Sequence, residues 1–316
     1  MYDTVHLRLA IDEAGDVDFV GQTTAYISKP AEHYYDDGGE GITGSLDNFR
    51  VYIRPTSISL KGSLCKWYLG DNFQTLNRET TKQAIEALSS VLHLPMERAD
   101  VTRIDFANNL ILEYPVEVYL NHMGEMSRSK RAKYPSSIYY RYGGGQMAFY
   151  DKEREQRDKK ESIPSQYKGL HILRIEQRYE SRLQKTFNQS VIKAATLYDE
   201  AFYSLLQKSW YDKYQLVDKI NDIIPDFDMM KGKKEMDILG RAALIERYGG
   251  LENFLAIIDG RYKMGKISRR NRDSLVKATK DAYLTHREGI SVTSEAIKEL
   301  DAKVLAVLPL DVLDDD

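Results

Sequence analysis

Cysteine is almost missing from this chain: Cys65 stands alone among 316 residues. An internal disulfide is therefore excluded, and a reducing compartment is implied. Set in a strand-like stretch, Cys65 is expected to be buried filler rather than a nucleophile. No apolar run approaches the roughly 20 residues of a membrane span and no signal-peptide pattern is present. The protein is thus expected to stay in the cytoplasm, with no membrane partner. The six histidines (His6, His33, His93, His122, His171, His286) are scattered without an H-x-H pair, and no Cys/His spacing suggests zinc. A P-loop is also lacking, which excludes a built-in nucleotide-driven motor. Gly143-Gly144-Gly145 is a turn signal and not a dinucleotide fingerprint, because no helix follows it. Nor is there an excess of positive charge. Lys and Arg number 45 against 48 Asp and Glu, a net charge of −3, so any nucleic-acid surface has to be a local patch.

What the chain does contain is a set of strands with charged faces. SSIYYRYGGGQMAFYDKEREQ (136–156) reads as a hairpin around the glycine turn. By alternation, Tyr139 and Arg141 share one face, while Ile138, Tyr140 and Tyr142 share the other. Two flanking segments follow the same plan. VTRIDFANNLIL (101–112) turns Ile104 and Phe106 one way and Arg103 and Asp105 the other; LHILRIEQRYE (170–180) separates Leu173 and Ile175 from Arg174, Glu176 and Arg178. Neighbours in one sheet, these strands would bring Asp105 and Glu176 together. Close carboxylates repel unless a proton or cation lies between them, and oxygen ligands suit Mg²⁺ or Mn²⁺. The alternative is a pair of salt-bridge ladders of little energetic consequence.

Along the chain, Tyr2–Ile11 alternates as a first strand, residues 28–48 look like an irregular excursion, and 49–53 with 57–61 form a second hairpin around Pro55. Asn77 can cap a helix with the apolar stripe Ile85, Leu88 and Leu92, which Pro95 stops. Residues 116–123 suggest a short helix, 127–133 a basic loop. Beyond Tyr179 the pattern becomes helical: 190–223, then, after a break at Pro225–Asp228 and the MMKGKK run, 235–248, 250–259, 268–286 and 293–307, with Gly249-Gly250 and Gly289 as stops and a frayed acidic LDDD tail. The expected class is α+β, an antiparallel sheet with helices on one face followed by a small all-helical domain. The expected division is a sheet domain over 1–185 and a helical domain over 186–316.

Two positive clusters stand out. Residues 127–133 hold Arg128, Lys130, Arg131 and Lys133 without an acid. Residues 261–280 hold eight cations, Lys266, Arg269, Arg270 and Arg272 among them, against Asp273 alone, 8 − 1 = +7. Such a run is either a solvated helix face or a DNA-facing surface, with Ser268 placed to cap a helix whose first turn carries arginines.

Taken in order, the IYY strand, the turn, FYDKEREQ and RIEQR resemble the tyrosine-nucleophile rolling-circle replication initiators of plasmids and phages, both the replication-transfer type and the type related to the filamentous-phage initiator. MYDTVHLRL and SLKGSLCKWYLGDNFQTLNRETTKQAIEALS are similar to the branch from gut bacteria of the Bacteroides group and their phages. The resemblance runs from Met1 to about Tyr211. It implies nicking and rejoining of one DNA strand through a covalent phosphotyrosine, with Mg²⁺ or Mn²⁺ as cofactor, in a bacterial host cell. Its partners would be double- and single-stranded origin DNA, a host helicase and a polymerase, with a homodimer left open. The absence of paired histidines separates the chain from nickases that hold metal that way. A Y-x-K-x-x-E-Q pattern adds Glu155 to Asp105 and Glu176 as metal ligands, with Lys152 and Arg174 on the phosphate. The nucleophile lies between Tyr139 and Tyr140, ahead of Tyr142 and Tyr150: strand parity puts Tyr139 beside Arg141, and the family's tyrosine also follows an apolar residue directly. Two other readings are a non-catalytic origin- or operator-binding protein, which would use only the basic helical domain, and a structural phage protein without DNA affinity.

Overall fold

The computed structural model describes residues 1–15, 17–34, 39–220, 222–223, 231–248, 250–292 and 294–309. Eleven strands come first in the chain: β1 (Tyr2–Ala10), β2 (Ser28–Tyr34), β3 (Glu40–Leu46), β4 (Phe49–Arg54), β5 (Ser57–Ser63), β6 (Asp100–Leu112), β7 (Met123–Met126), β8 (Lys130–Tyr134), β9 (Ser137–Tyr142), β10 (Gly145–Asp151) and β11 (His171–Tyr179). All but β7 join one sheet in the order β2-β3-β4-β5-β1-β6-β11-β10-β9-β8, antiparallel throughout. Hairpins build both wings. The centre, β1, β6 and β11, is assembled from segments far apart in sequence.

The alternation of each strand explains the sheet's two faces. One is apolar, with Val5, Leu7, Val51, Ile53, Leu60, Ile104, Phe106, Ile138, Phe149 and Ile175 all buried. The helix Glu200–Gln215 covers part of this face. Trp210 Nε1 donates to the Ile175 carbonyl at 3.2 Å, Tyr203 packs on Tyr2 and Phe106 at 5.7 and 5.6 Å between ring centroids, and Tyr214 lies 6.3 Å from Phe149. A buried side chain as large as Trp210 contributes several kcal/mol; its loss by truncation costs about 3–5 kcal/mol.

The helix Arg78–Leu92 forms where its pattern predicts, with Ile85, Leu88 and Leu92 buried. Asn77 and Thr80 close a reciprocal capping box, and His93 ends the helix in the left-handed conformation. Such a cap is worth about 1 kcal/mol.

Two segments read as irregular are strands. Residues 28–48 contain β2 and β3; β2 is exposed at every position but His33, which is half-buried, so it lacks the alternation that reveals a half-buried strand. The basic run 127–133 contributes β8, an edge strand beside β9, and Arg128 turns into it with φ +57°. Lysine and arginine on an edge discourage pairing with other chains.

The chain divides into two compact units: residues 1–116, 125–217 and 303–316, and residues 117–124 with 218–302. The helix Glu200–Gln215 thus belongs with the sheet. In the second unit the helices Lys233–Arg247, Gly250–Lys263 and Arg269–Ile290 pack on one another, around Leu239, Ala242, Ile245 and Ile258. A two-residue strand pair, Asp222–Ile223 with Ser291–Val292, accompanies them, and the helix Glu295–Ala306 follows. The last long helix of the bundle runs through Gly289 rather than stopping there. Pro225–Asp228, Met229 and Met230 of MMKGKK, Gly249 and the LDDD tail lie outside the described residues. Among the described residues, no helix is long and apolar enough to cross a membrane.

Candidate active site

On the polar face, the middle strands bring their charges into one cleft of about 450 Å³, lined by Asp3, Arg103, Asp105, Tyr139, Tyr150, Glu155, Lys159, Glu176 and Arg178 among others. Pairing accounts for this. Asp105 on β6 lies opposite Arg178 on β11, Glu176 opposite Ala148 on β10, and Ala148 opposite Tyr139 on β9. Residues directly across an antiparallel pair share a face.

Glu176 is almost fully buried. It accepts from the Tyr150 hydroxyl at 2.6 Å, Arg174 Nε at 3.1 Å and Arg178 Nε at 2.7 Å. Burial alone would raise its carboxyl, but Arg174 and Arg178 outweigh burial and hold it below the usual range. Asp105 is held bidentately by Arg103, at 2.9 and 2.8 Å. Its carboxyl is nonetheless pushed up, first by burial and further by the charge of Glu176. The two acids therefore titrate as a pair.

Arg174, expected on the phosphate, is fully buried. It donates to Glu176, to the Asn72 carbonyl at 3.1 Å, to Asn109 Oδ1 at 3.2 Å and to Asp3 Oδ2 at 2.5 Å. Its guanidinium is committed to the framework. Lys152 is likewise buried, bound to Glu155 at 2.9 Å. Burial and the neighbouring Arg174 lower its ammonium to about 8. Glu155 sits at the start of the helix Lys152–Asp158, which Asp151 caps through the Arg154 N–H at 2.9 Å. Burial pulls the Glu155 carboxyl upward, but Lys152, Lys159 and Gln156 together bring it down to about 2. All three acids assigned to a metal thus line the cleft, but each is held by basic side chains. Among the described residues no group of three or more His, Cys, Asp or Glu side chains lies close enough to share an ion.

The four hairpin tyrosines part company. Tyr139 lines the cleft, half-buried, with the Arg178 guanidinium 5.9 Å from its ring centroid and Tyr134 edge-on at 5.9 Å. Tyr140 is fully buried on the apolar face, 5.8 Å from Phe149. Tyr142 accepts from Gln177 Nε2 at 2.7 Å and lies under Lys213. Tyr150 lines the cleft too, but its hydroxyl is spent on Glu176 and burial drives its ionisation far above the ordinary range. The turn beside them needs its glycines: Gly144 has φ +99°, and a Cβ on Gly145 would stand 2.1 Å from the Arg178 carbonyl.

The basic run 127–133 is divided by its strand. Lys130 pairs with Arg141 and so shares the face of Tyr139, whereas Arg131 and Lys133 pair with Tyr140 and Ile138 on the other face. In the second unit Lys266, Arg269 and Arg270 are exposed, Ser268 caps the helix through the Asn271 N–H at 3.2 Å, and Arg272 is tied to Asp259 and Asp273 at 2.8 and 2.9 Å. Cys65 is buried, and burial pushes its thiol up to about 12, which leaves it inert at neutral pH.

Strand alternation did not reveal Asp3. Simple alternation puts it with Val5 and Leu7 on the apolar face, but the β1–β6 register shifts between Tyr2 and Val5. That bulge re-aims Asp3 to the polar side, where it meets Arg174, Ser63 and Asn72. The signal available was an acid in an otherwise apolar alternation.

The Phage_CRI family model, which describes the N-terminal part of a phage replication-associated protein, matches residues 1–201, a span that contains every strand of the sheet. No curated protein matches the chain. The chain belongs to this family of replication-associated N-terminal domains, the filamentous-phage and plasmid type of rolling-circle replication initiator.

Proposed function

We propose that the chain nicks and rejoins one strand of replicon DNA at its origin, with Tyr139 as nucleophile. One observation carries the reading: Tyr139 is the hairpin tyrosine that borders the arginine–carboxylate cleft without its hydroxyl being committed to Glu176 or its ring to the core. In the reaction, Tyr139 Oη bonds to a backbone phosphorus and the P–O3′ bond breaks. The 5′-phosphate stays on the enzyme and the 3′-hydroxyl is free for a polymerase. Attachment keeps the phosphodiester energy, so the strand can be rejoined without a nucleotide cofactor.

Arg103 and Arg178, half-buried at the cleft, are the arginines suited to the phosphate, through planar charge-assisted contacts. Arg174 and Lys152 act one layer below: Arg174 fixes Glu176 and Asp3, and Lys152 fixes Glu155. A divalent cation held through Asp105 and Glu176 would share these carboxylates with Arg103, Arg174 and Arg178, which bind them here; Mg²⁺ takes one or two carboxylates and completes its shell with water and phosphate oxygens. Bound there, Mg²⁺ or Mn²⁺ would supply neutralisation of phosphate charge and ease ionisation of a phenol whose unperturbed pKa is about 10. Glu155 would orient Lys152.

The test is incubation of supercoiled replicon DNA with the protein and Mg²⁺ or Mn²⁺. Conversion to open circles, stopped by chelation, is expected. Tight origin binding without nicks would instead favour a non-catalytic origin- or operator-binding protein.

A further inference from the structure

The polar face continues past the cleft. Along the β1–β5 pair, Thr4 faces Ser63, His6 faces Lys61 and Arg8 faces Ser59; along β4–β5, Arg50 faces Lys61, Tyr52 faces Ser59 and Arg54 faces Ser57. Thr4 and Ser63 line the cleft. Two residues on, about 7 Å along β5, a second hollow of about 310 Å³ begins, lined by Arg8, Tyr52, Arg54, Ser57, Ser59 and Lys61. Among the described residues, no acid lines it. Asp100, which faces Arg8 across the β1–β6 pair, is bound to Lys193 at 2.8 Å.

In the wall of the hollow the half-buried Tyr52 ring lies close to two cations, with the Arg50 guanidinium 5.2 Å and the Lys61 ammonium 4.9 Å from its centroid. An aromatic face set among positive charges, with serine hydroxyls beside it, matches one ligand chemistry closely. Bases stack on the ring while phosphates meet the cations. Duplex DNA keeps its base faces stacked inside, so the ring selects a single strand.

We propose that this hollow is a subsite for the single-stranded flank of the strand being nicked: a base stacks on Tyr52, and Arg8 and Lys61 hold backbone phosphates on the way from the cleft. The inference rests on the reading that the cleft receives DNA. It assigns to the β4–β5 hairpin a share of substrate binding that the nicking chemistry itself does not require.

The test measures binding of the full-length protein to fluorescent single-stranded oligonucleotides without divalent ions. A core of about six nucleotides is compared with cores extended by about six more on the 5′ or the 3′ side. The wild type is expected to gain about tenfold from an extension on one side only. Abasic sites in that extension should remove most of the gain in the unaltered protein, a readout no folding defect can mimic. Tyr52→Ala should lose the gain and become insensitive to abasic substitution, Tyr52→Phe should keep both, and Lys61→Glu should weaken the extended strand more than the core. A gain that survives abasic substitution, or falls equally for duplex and single strand in Tyr52→Ala, would overturn the proposal in favour of a surface that meets phosphate alone. The two readings fail separately. Base-dependent binding at Tyr52 without any nicking would sink the catalytic reading only, and nicking without an effect of Tyr52 would sink the subsite only.

Discussion

Arg174 and Arg269 carry the same group and live under opposite conditions. Arg174, in the middle of β11, has no exposed surface and donates to four different residues, two of them acids. Arg269, at the start of its helix, keeps 84% of its side chain in solvent and approaches Asp273 only to 3.9 Å. Burial turns a charge into a structural obligation, because an ion out of water must be matched by partners. Exposure leaves it free to act at a distance, and salt screens it. Buried in the sheet, Arg174 therefore holds carboxylates in place, whereas Arg269 is offered to whatever approaches.

The largest expected effect breaks the first half of this contrast. Arg174→Ala leaves Glu176 and Asp3 short of a counter-charge, and removal of one partner from a buried pair costs about 3–5 kcal/mol. Urea unfolding should show a fall of that order, whereas Arg269→Ala should leave the midpoint where it was. If the two variants unfold alike, burial does not separate the two sets of arginines.

An intermediate effect concerns pH. His6 lies on the polar face between Lys61 and Arg103, and burial first, then Arg103 and Lys61, lower its pKa to about 4. An unfolded histidine titrates near 6.5. Between these values the unfolded chain binds a proton that the folded chain refuses, so this contribution is intact above pH 6.5 and is lost as pH falls toward 4. The melting temperature of the wild type should fall over that window more steeply than that of His6→Gln. Parallel curves would mean that His6 charges as freely in the fold as outside it.

The smallest effect sharpens the second half. Each phosphate contact on duplex DNA contributes about −0.9 to the slope of log K against log salt. Arg269→Ala and Arg270→Ala should each flatten the slope by about that much, and Arg272→Ala by less, because Asp259 and Asp273 already occupy it. An unchanged slope in the triple variant would move the duplex surface elsewhere, with Lys130 and Arg141 on the sheet the next to test.

Much of the sheet was legible in the chain because its central strands alternate strongly. The hairpins at Pro55 and Gly143–Gly145, the capped helix after Asn77 and the polar faces of β6 and β11 all follow from local pattern. What local pattern could not convey was coupling between distant segments. Asp3 reaches the cleft through a bulge whose partner, β6, lies about a hundred residues away in sequence. The β2–β3 hairpin is exposed almost throughout β2, so it left no hydrophobic period to read. The basic run 127–133 looked like one patch, but as strand β8 it sends its charges to both sides of the sheet. Arg174 and Lys152 looked available for phosphate because a sequence does not show that their donors are already engaged.

The central claim is that the polar face of β9, not its apolar face, presents the nucleophile. The most direct measurement is peptide mass spectrometry after incubation of the protein with single-stranded origin DNA and Mn²⁺. The account predicts a nucleotide adduct on Tyr139, absent from Tyr139→Phe while DNA binding persists, and still formed in Tyr140→Phe. An adduct on Tyr140, retained in Tyr139→Phe, would contradict it.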